Sequence, residues 1–207
     1  MATMPISLFW TRTDTTGSDH SLLDDRGGLT ARGVAQAVRP VDHTCRYELR
    51  TDENWATVSL EVSAEGAGWL RSVRLDRAGG RWRITTGETG DLDAALARAG
   101  RPAAGLPGTD DPDRLAEALD VDLGAAPLFN TLPVRRLGML DAEPGTSHRL
   151  TVAWVLVPSL LVVPTEQVYT ALGAGRVRYA SGTFTADLEL DEHGYVRNYP
   201  GLARLAE

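Results

Sequence analysis

The chain contains no lysine. All 21 of its Lys+Arg residues are arginine. That excludes Schiff-base chemistry, cofactors held through a lysine imine and any lysine-dependent phosphate loop. Cysteine is nearly absent as well. Cys45 stands alone, so no intrachain disulfide can form, and the residue is expected as a small buried apolar group. No apolar run is long enough to cross a bilayer. The most hydrophobic stretch, Leu150 to Val163, falls short of the roughly 20 residues required, and Pro158 interrupts it. Met1 to Trp10 lacks the basic start and apolar stretch of a signal peptide, so the expected location is cytoplasmic. Positive charge is in deficit. A net charge of −7 argues against nucleic acid or an anionic membrane surface as the main partner.

Familiar catalytic patterns are missing too. His20, His43, His148 and His193 include no H-E-x-x-H pair and no metal-ligand spacing, so neither a metal nor a cofactor is expected. There is no G-x-S-x-G elbow, and Gly173 to Arg176 reads as a turn rather than part of a dinucleotide fingerprint. Ser147 and His148 are neighbours on an expected strand and would point to opposite faces. Asp19, His20, Asp24 and Asp25 form an acidic cluster without ordered ligand spacing and read as a solvated loop. Asp187 and Glu189, about 7 Å apart on one strand face, read as solvent-facing acids rather than a glycosidase pair. Enzymatic activity is therefore not the favoured reading.

What is present is a period of two. Ala56, Val58, Leu60 and Val62 alternate with Trp55, Thr57, Ser59 and Glu61; Phe184, Ala186, Leu188 and Leu190 alternate with Thr185, Asp187 and Glu189. Such alternation belongs to half-buried antiparallel strands. Asp76 to Gly80 and Asp191 to Gly194 read as hairpin loops between strands. Leu150 to Val157 is apolar on both faces, so it should lie within the sheet with both faces covered, the second by a helix. Two segments read as helices: Asp91 to Ala99, stopped by Gly100-Arg101-Pro102, and Asp111 to Leu119, with Asp111 as N-cap and Pro112 at the first helical position. The aromatic residues Trp55, Trp69, Trp82, Trp154, Tyr169, Tyr179, Tyr195 and Tyr199 fall nearly all on expected strands. They suit either a core or an aromatic-lined cleft in a curved sheet.

The segment Asp120 to Leu137 is the most unusual. It holds two acids, two prolines, Asn130-Thr131 and Arg135-Arg136 among Leu, Phe and Val residues that want burial. The prolines argue against a regular central strand. A buried irregular segment must satisfy its own backbone, for which Asp120, Asp122 and Thr131 with an Arg would serve as an internal hub. Alternatively Arg135 or Arg136 forks onto an anion or sugar. On a strand, only one of the two would face any one pocket.

Asp122-Leu123-Gly124, Pro127 and Asn130-Thr131-Leu132-Pro133-Val134-Arg135-Arg136-Leu137 resemble the signature of a bacterial family named putative glycolipid-binding, formerly a domain of unknown function. Tyr47 to Trp55, Gly80-Arg81-Trp82, Gln167-Val168-Tyr169, Arg178-Tyr179 and Asp191 to Pro200 follow the family's order, and the likeness spans residues 29–203. The resemblance implies a mainly β (α+β) fold, a long antiparallel sheet coiled as a spiral β-roll around one or two helices. On this basis 1–207 is a single domain, with 88–118 a helical insertion. The expected function is non-enzymatic binding of a glycolipid or other amphiphile. Trp154, Tyr169 and Tyr179 would shelter its acyl part, and Asn130 with Arg135 or Arg136 would meet its head. The alternatives are an interaction or scaffold protein with a closed core and a hydrolase with an unrecognised site.

Overall fold

The computed structural model describes residues 5–206; the start of the Met1 to Trp10 segment lies outside them. Its strands are β1 (Ile6–Arg12), β2 (Gly17–Asp24), β3 (Thr30–Ala37), β4 (His43–Thr51), β5 (Thr57–Gly66), β6 (Trp69–Ala78), β7 (Arg81–Gly90), β8 (Asp120–Leu123), β9 (Ser147–Val155), β10 (Val162–Gly173), β11 (Arg176–Ser181), β12 (Phe184–Leu190), β13 (Val196–Tyr199) and β14 (Ala203–Leu205). Two short α-helices, α1 (Leu92–Arg98) and α2 (Thr131–Arg136), and 3-10 turns at Pro112–Leu115 and Pro127–Asn130 complete the elements. All strands join one 14-stranded sheet in the order β7-β6-β5-β4-β3-β2-β1-β14-β13-β12-β11-β10-β9-β8. Neighbours are antiparallel except β8 and β9, whose pairing is parallel.

The sheet rolls up without closing. Its β8 end is tucked inside against its own first half: Thr57 donates its N–H to the Leu119 carbonyl, and the Thr57 hydroxyl accepts from the Val121 N–H. The inner edge is thereby capped rather than left open to another chain. One face of β8 and β9, with Val121, Leu123, Ala153 and Val155, packs into the same apolar cluster as Leu49, Leu60, Val62 and Leu75 of β4 to β6. On the other side Val134 and Met139, from α2 and the turn after it, join Tyr169, Val177 and Leu188 of β10 to β12 in a second cluster. The apolar double face of β9 is thus explained, although the first half of the sheet, rather than a helix, covers one side.

Alternation holds over most strands and breaks where the backbone does. A bulge opposite Arg50 and Thr51 leaves Val58 without a partner, so Thr57 turns inward and Val58 is 42% exposed, the reverse of the simple pattern. Asp91 caps α1 by accepting from the Ala94 N–H. The segment expected to be helical to Leu119 makes only a 3-10 turn at Pro112–Leu115, whose Leu115 reaches the core. Residues 88–90, assigned above to a helical insertion, belong to strand β7. Asp19 corrects the solvated-loop reading. It lies on β2 and is fully buried, accepting from the Tyr47 hydroxyl at 3.0 Å. Gly33 admits that arrangement, because a Cβ there would fall 2.1 Å from the Tyr47 ring.

Candidate functional site

After β8, the signature segment folds as a turn into helix rather than as further strand. The Gly124 N–H continues the β8–β9 pairing onto the Val155 carbonyl, and the Ala126 N–H closes a turn on Leu123. Ala125 takes a left-handed φ of 69° in that turn. Pro127 then opens the 3-10 turn, and Pro133 lies in the first turn of α2, where its missing N–H costs nothing. This route carries Asn130 inside the roll.

A chain of hydrogen bonds starts there. The Asn130 amide donates to the Tyr169 hydroxyl at 2.9 Å, Tyr169 donates to Gln167 Oε1 at 3.2 Å, and Gln167 Nε2 donates to Asp122 Oδ2 at 2.7 Å. Asn130, Tyr169 and Gln167 are buried, while Asp122 is half-buried. Burial pushes the Asp122 carboxyl up to about 6, against the opposing hydrogen bond from Gln167. Burial, and then the Asp122 charge, push the Tyr169 hydroxyl well above its ordinary range.

Asp122 and Asn130 line a cleft of about 720 Å³, within the size range of small-molecule sites. One lip is the segment Asp122 to Ala126, and the other is the hairpin from Ser181 to Phe184. Trp154, Tyr179, Phe184 and Tyr199 give it aromatic walls. Tyr179, Phe184 and Tyr199 pack on one another with ring centroids 6.1 to 6.3 Å apart. Phe184 is 49% exposed, and Trp154 is half-buried whereas Trp10, Trp55, Trp69 and Trp82 are buried. Glu166 also borders the cleft, but its carboxylate is engaged by Arg149. A shallower depression of about 390 Å³ lies on the outer face of β2 to β6, among Arg32, Arg46, Glu48 and Glu61. Arg46 pairs there with Glu65 and Arg74 with Glu61.

The expected site residues are therefore divided. Asn130, Trp154 and Tyr179 meet in the cleft; Tyr169 stands behind its wall, edge-on to Tyr179 at 5.4 Å. Arg135 and Arg136 do not line it. Successive helical residues are about 100° apart rather than opposed, and each arginine has its own partner. The Arg135 guanidinium lies 4.4 Å over the Trp55 ring and donates to the His193 carbonyl at 2.6 Å. Arg136 donates to Asp120 through Nε at 3.0 Å and Nη2 at 2.6 Å, and the Asp120 side chain is fully buried. Of the expected hub, Asp120 is held by Arg136 and Asp122 by Gln167. The buried Thr131 hydroxyl makes no hydrogen bond among the described residues, so it takes no part. Phe184 and Gln167 were not expected as companions of the site, and Tyr199 was expected only among the aromatics that suit a core or a cleft. Their common signal is position: each sits in or beside a strand of the second half, on the face turned toward the signature.

Among the described residues, no helix is long and apolar enough to cross a membrane. No curated protein matches the chain. Its fold is similar to the crystal structure of a DUF1089 family protein from Pseudomonas aeruginosa, with a TM-score of 0.66 and 25% identity over 90% of this chain and 91% of that one. The model of the family described as "Putative glycolipid-binding" matches residues 7–205, which extends the likeness beyond residues 29–203 to β1 and β2. The chain belongs to that family.

Proposed function

We propose that this protein binds an amphiphile such as a glycolipid, without catalysis, in the cleft between the Asp122 to Ala126 segment and the Ser181 to Phe184 hairpin. The observation that carries this reading is the pairing of an aromatic wall with a buried polar chain in a single cleft. Trp154, Tyr179, Phe184 and Tyr199 offer apolar area to a chain or a sugar face, while Asp122 and Asn130 offer fixed hydrogen-bonding groups. The family's description is consistent with this assignment. The head group meets Asp122 and Asn130 rather than an arginine, because Arg135 and Arg136 are committed elsewhere. A cleft of this size also favours binding over a scaffold with a closed core.

Native mass spectrometry of freshly purified protein, with lipid extraction of the same sample, tests the proposal. It predicts close to one amphiphile per chain, and loss of that species in Phe184→Asp. A wild-type protein that is empty and stays empty when supplied with glycolipid refutes it.

A further inference from the structure

The charge around the cleft narrows the head group. Among the described residues no basic side chain lines it; Arg12 and Arg39 meet the same Gly124 to Ala126 segment in a separate small cavity. Arg149 engages Glu166, while Arg136 engages Asp120. The acid that faces the cleft, Asp122, has Oδ2 held by Gln167, and among the described residues no donor makes a hydrogen bond to Oδ1. Phosphate, sulfate or carboxylate would meet this carboxylate with no basic lining residue to offset the repulsion. A cation would find a counter-ion in a cleft whose walls also carry the aromatic rings of Trp154, Tyr179, Phe184 and Tyr199. Aromatic rings beside a carboxylate are the arrangement that recognises ammonium groups.

We infer that the cleft selects head groups bearing an ammonium, with Asp122 as the counter-ion and the aromatic wall as the cation–π partner. The inference rests on the amphiphile reading above and specifies the charge of the ligand. Asp122 suits this role because its carboxylate is partly withdrawn from water. An arriving cation relieves the cost of keeping it ionised, which a neutral sugar hydroxyl does less well. The Gln167-Tyr169-Asn130 chain behind it fixes the carboxylate without neutralising it.

Three probes with the same tail separate the possibilities: octyltrimethylammonium, octyl β-glucoside and octyl sulfate, each titrated below its micelle concentration by calorimetry. The ammonium probe is expected to bind on the order of tenfold tighter than the glucoside, and the sulfate to give no binding heat. Asp122→Asn should close most of the gap between ammonium and glucoside. Its fold is checked by circular dichroism, and Phe184→Leu, at the exposed hairpin, provides an independent variant. Phe184→Leu keeps apolar area but removes a π-face, so it should weaken the ammonium probe more than the glucoside. Equal or tighter glucoside binding, binding of the sulfate, or an ammonium preference unchanged by both variants overturns the inference and leaves the amphiphile reading standing. If none of the three probes binds, the cleft is not an amphiphile site, and the inference falls with the function it rests on.

Discussion

Arg136→Ala and Arg135→Ala change adjacent residues of one helix and should have very different effects. Arg136 makes a forked pair with an Asp120 side chain that is 0% exposed, and is itself only 16% exposed. Burial pushes the Asp120 carboxyl up even with the guanidinium beside it, so desolvation outweighs the attraction. Truncating Arg136 leaves that carboxylate buried and unpaired, a loss of about 3–5 kcal/mol. At roughly 2–4 °C per kcal/mol for a chain of this size, the midpoint should fall by about 6–20 °C. Truncating Arg135 removes a cation–π contact with Trp55 and one hydrogen bond to the His193 carbonyl, about 1–2 kcal/mol. The Arg136→Ala loss should also depend on pH. Without its partner the carboxyl in the folded state binds a proton more readily than in the unfolded chain. The variant therefore regains stability as pH falls from 8 to 5, and its deficit against wild type narrows. Denaturant unfolding at both pH values measures this directly. Small, equal losses from both variants, or a deficit that does not change with pH, would refute the reasoning.

Two further predictions concern the first half of the sheet. Asp19 is pushed up to about 7, chiefly by burial, with the Tyr47 hydrogen bond and Arg12 opposing. The folded state thus holds a proton that the unfolded chain releases near pH 4, and stability should fall as pH rises from about 4 to about 7, by up to about 4 kcal/mol. Asp19→Asn should flatten that slope in guanidinium unfolding; a slope identical to wild type would assign it to other groups. Gly33→Ala would force a methyl into the Tyr47 ring, which is already tied to Ser21 and Asp19. Its expected loss is about 1–3 kcal/mol, with a change in near-ultraviolet circular dichroism, and a neutral substitution would mean that the ring moves aside freely.

Much of the sheet was legible because its strands are half-buried. Alternation in Ala186, Leu188 and Leu190, and glycines at the Gly79-Gly80 and Asp191 to Gly194 turns, mark strands and hairpins without reference to the rest of the chain, although β6 runs on through Asp76 to Ala78, which were expected in the loop. The failures have physical causes. The inversion at Thr57 and Val58 comes from a bulge set by the partner strand, which local alternation does not encode. Asp19 sits among Gly, Ser and His, which read as a loop, yet it shares the buried face of β2 with Ser21 and Leu23, where the Tyr47 hydroxyl of β4 donates to it. The helical turn at Thr131–Arg136 did carry a signal, since Pro133 fits the first turn of a helix and not a central strand. Of the candidate site, Asn130, Trp154 and Tyr179 were named from sequence. Tyr199 was named among the aromatics that suit a core or a cleft, while Phe184 and Gln167 join because the sheet rolls, bringing β10 and β12 against the signature.

The claim that the cleft seats the amphiphile can be tested through Trp154, the tryptophan left half-exposed while Trp10, Trp55, Trp69 and Trp82 are buried. Titrating the protein with a short-chain amphiphile should shift and then saturate the tryptophan emission, and Trp154→Phe should abolish that change while leaving the protein folded. An emission that does not respond, or a response that survives in Trp154→Phe, would contradict the account.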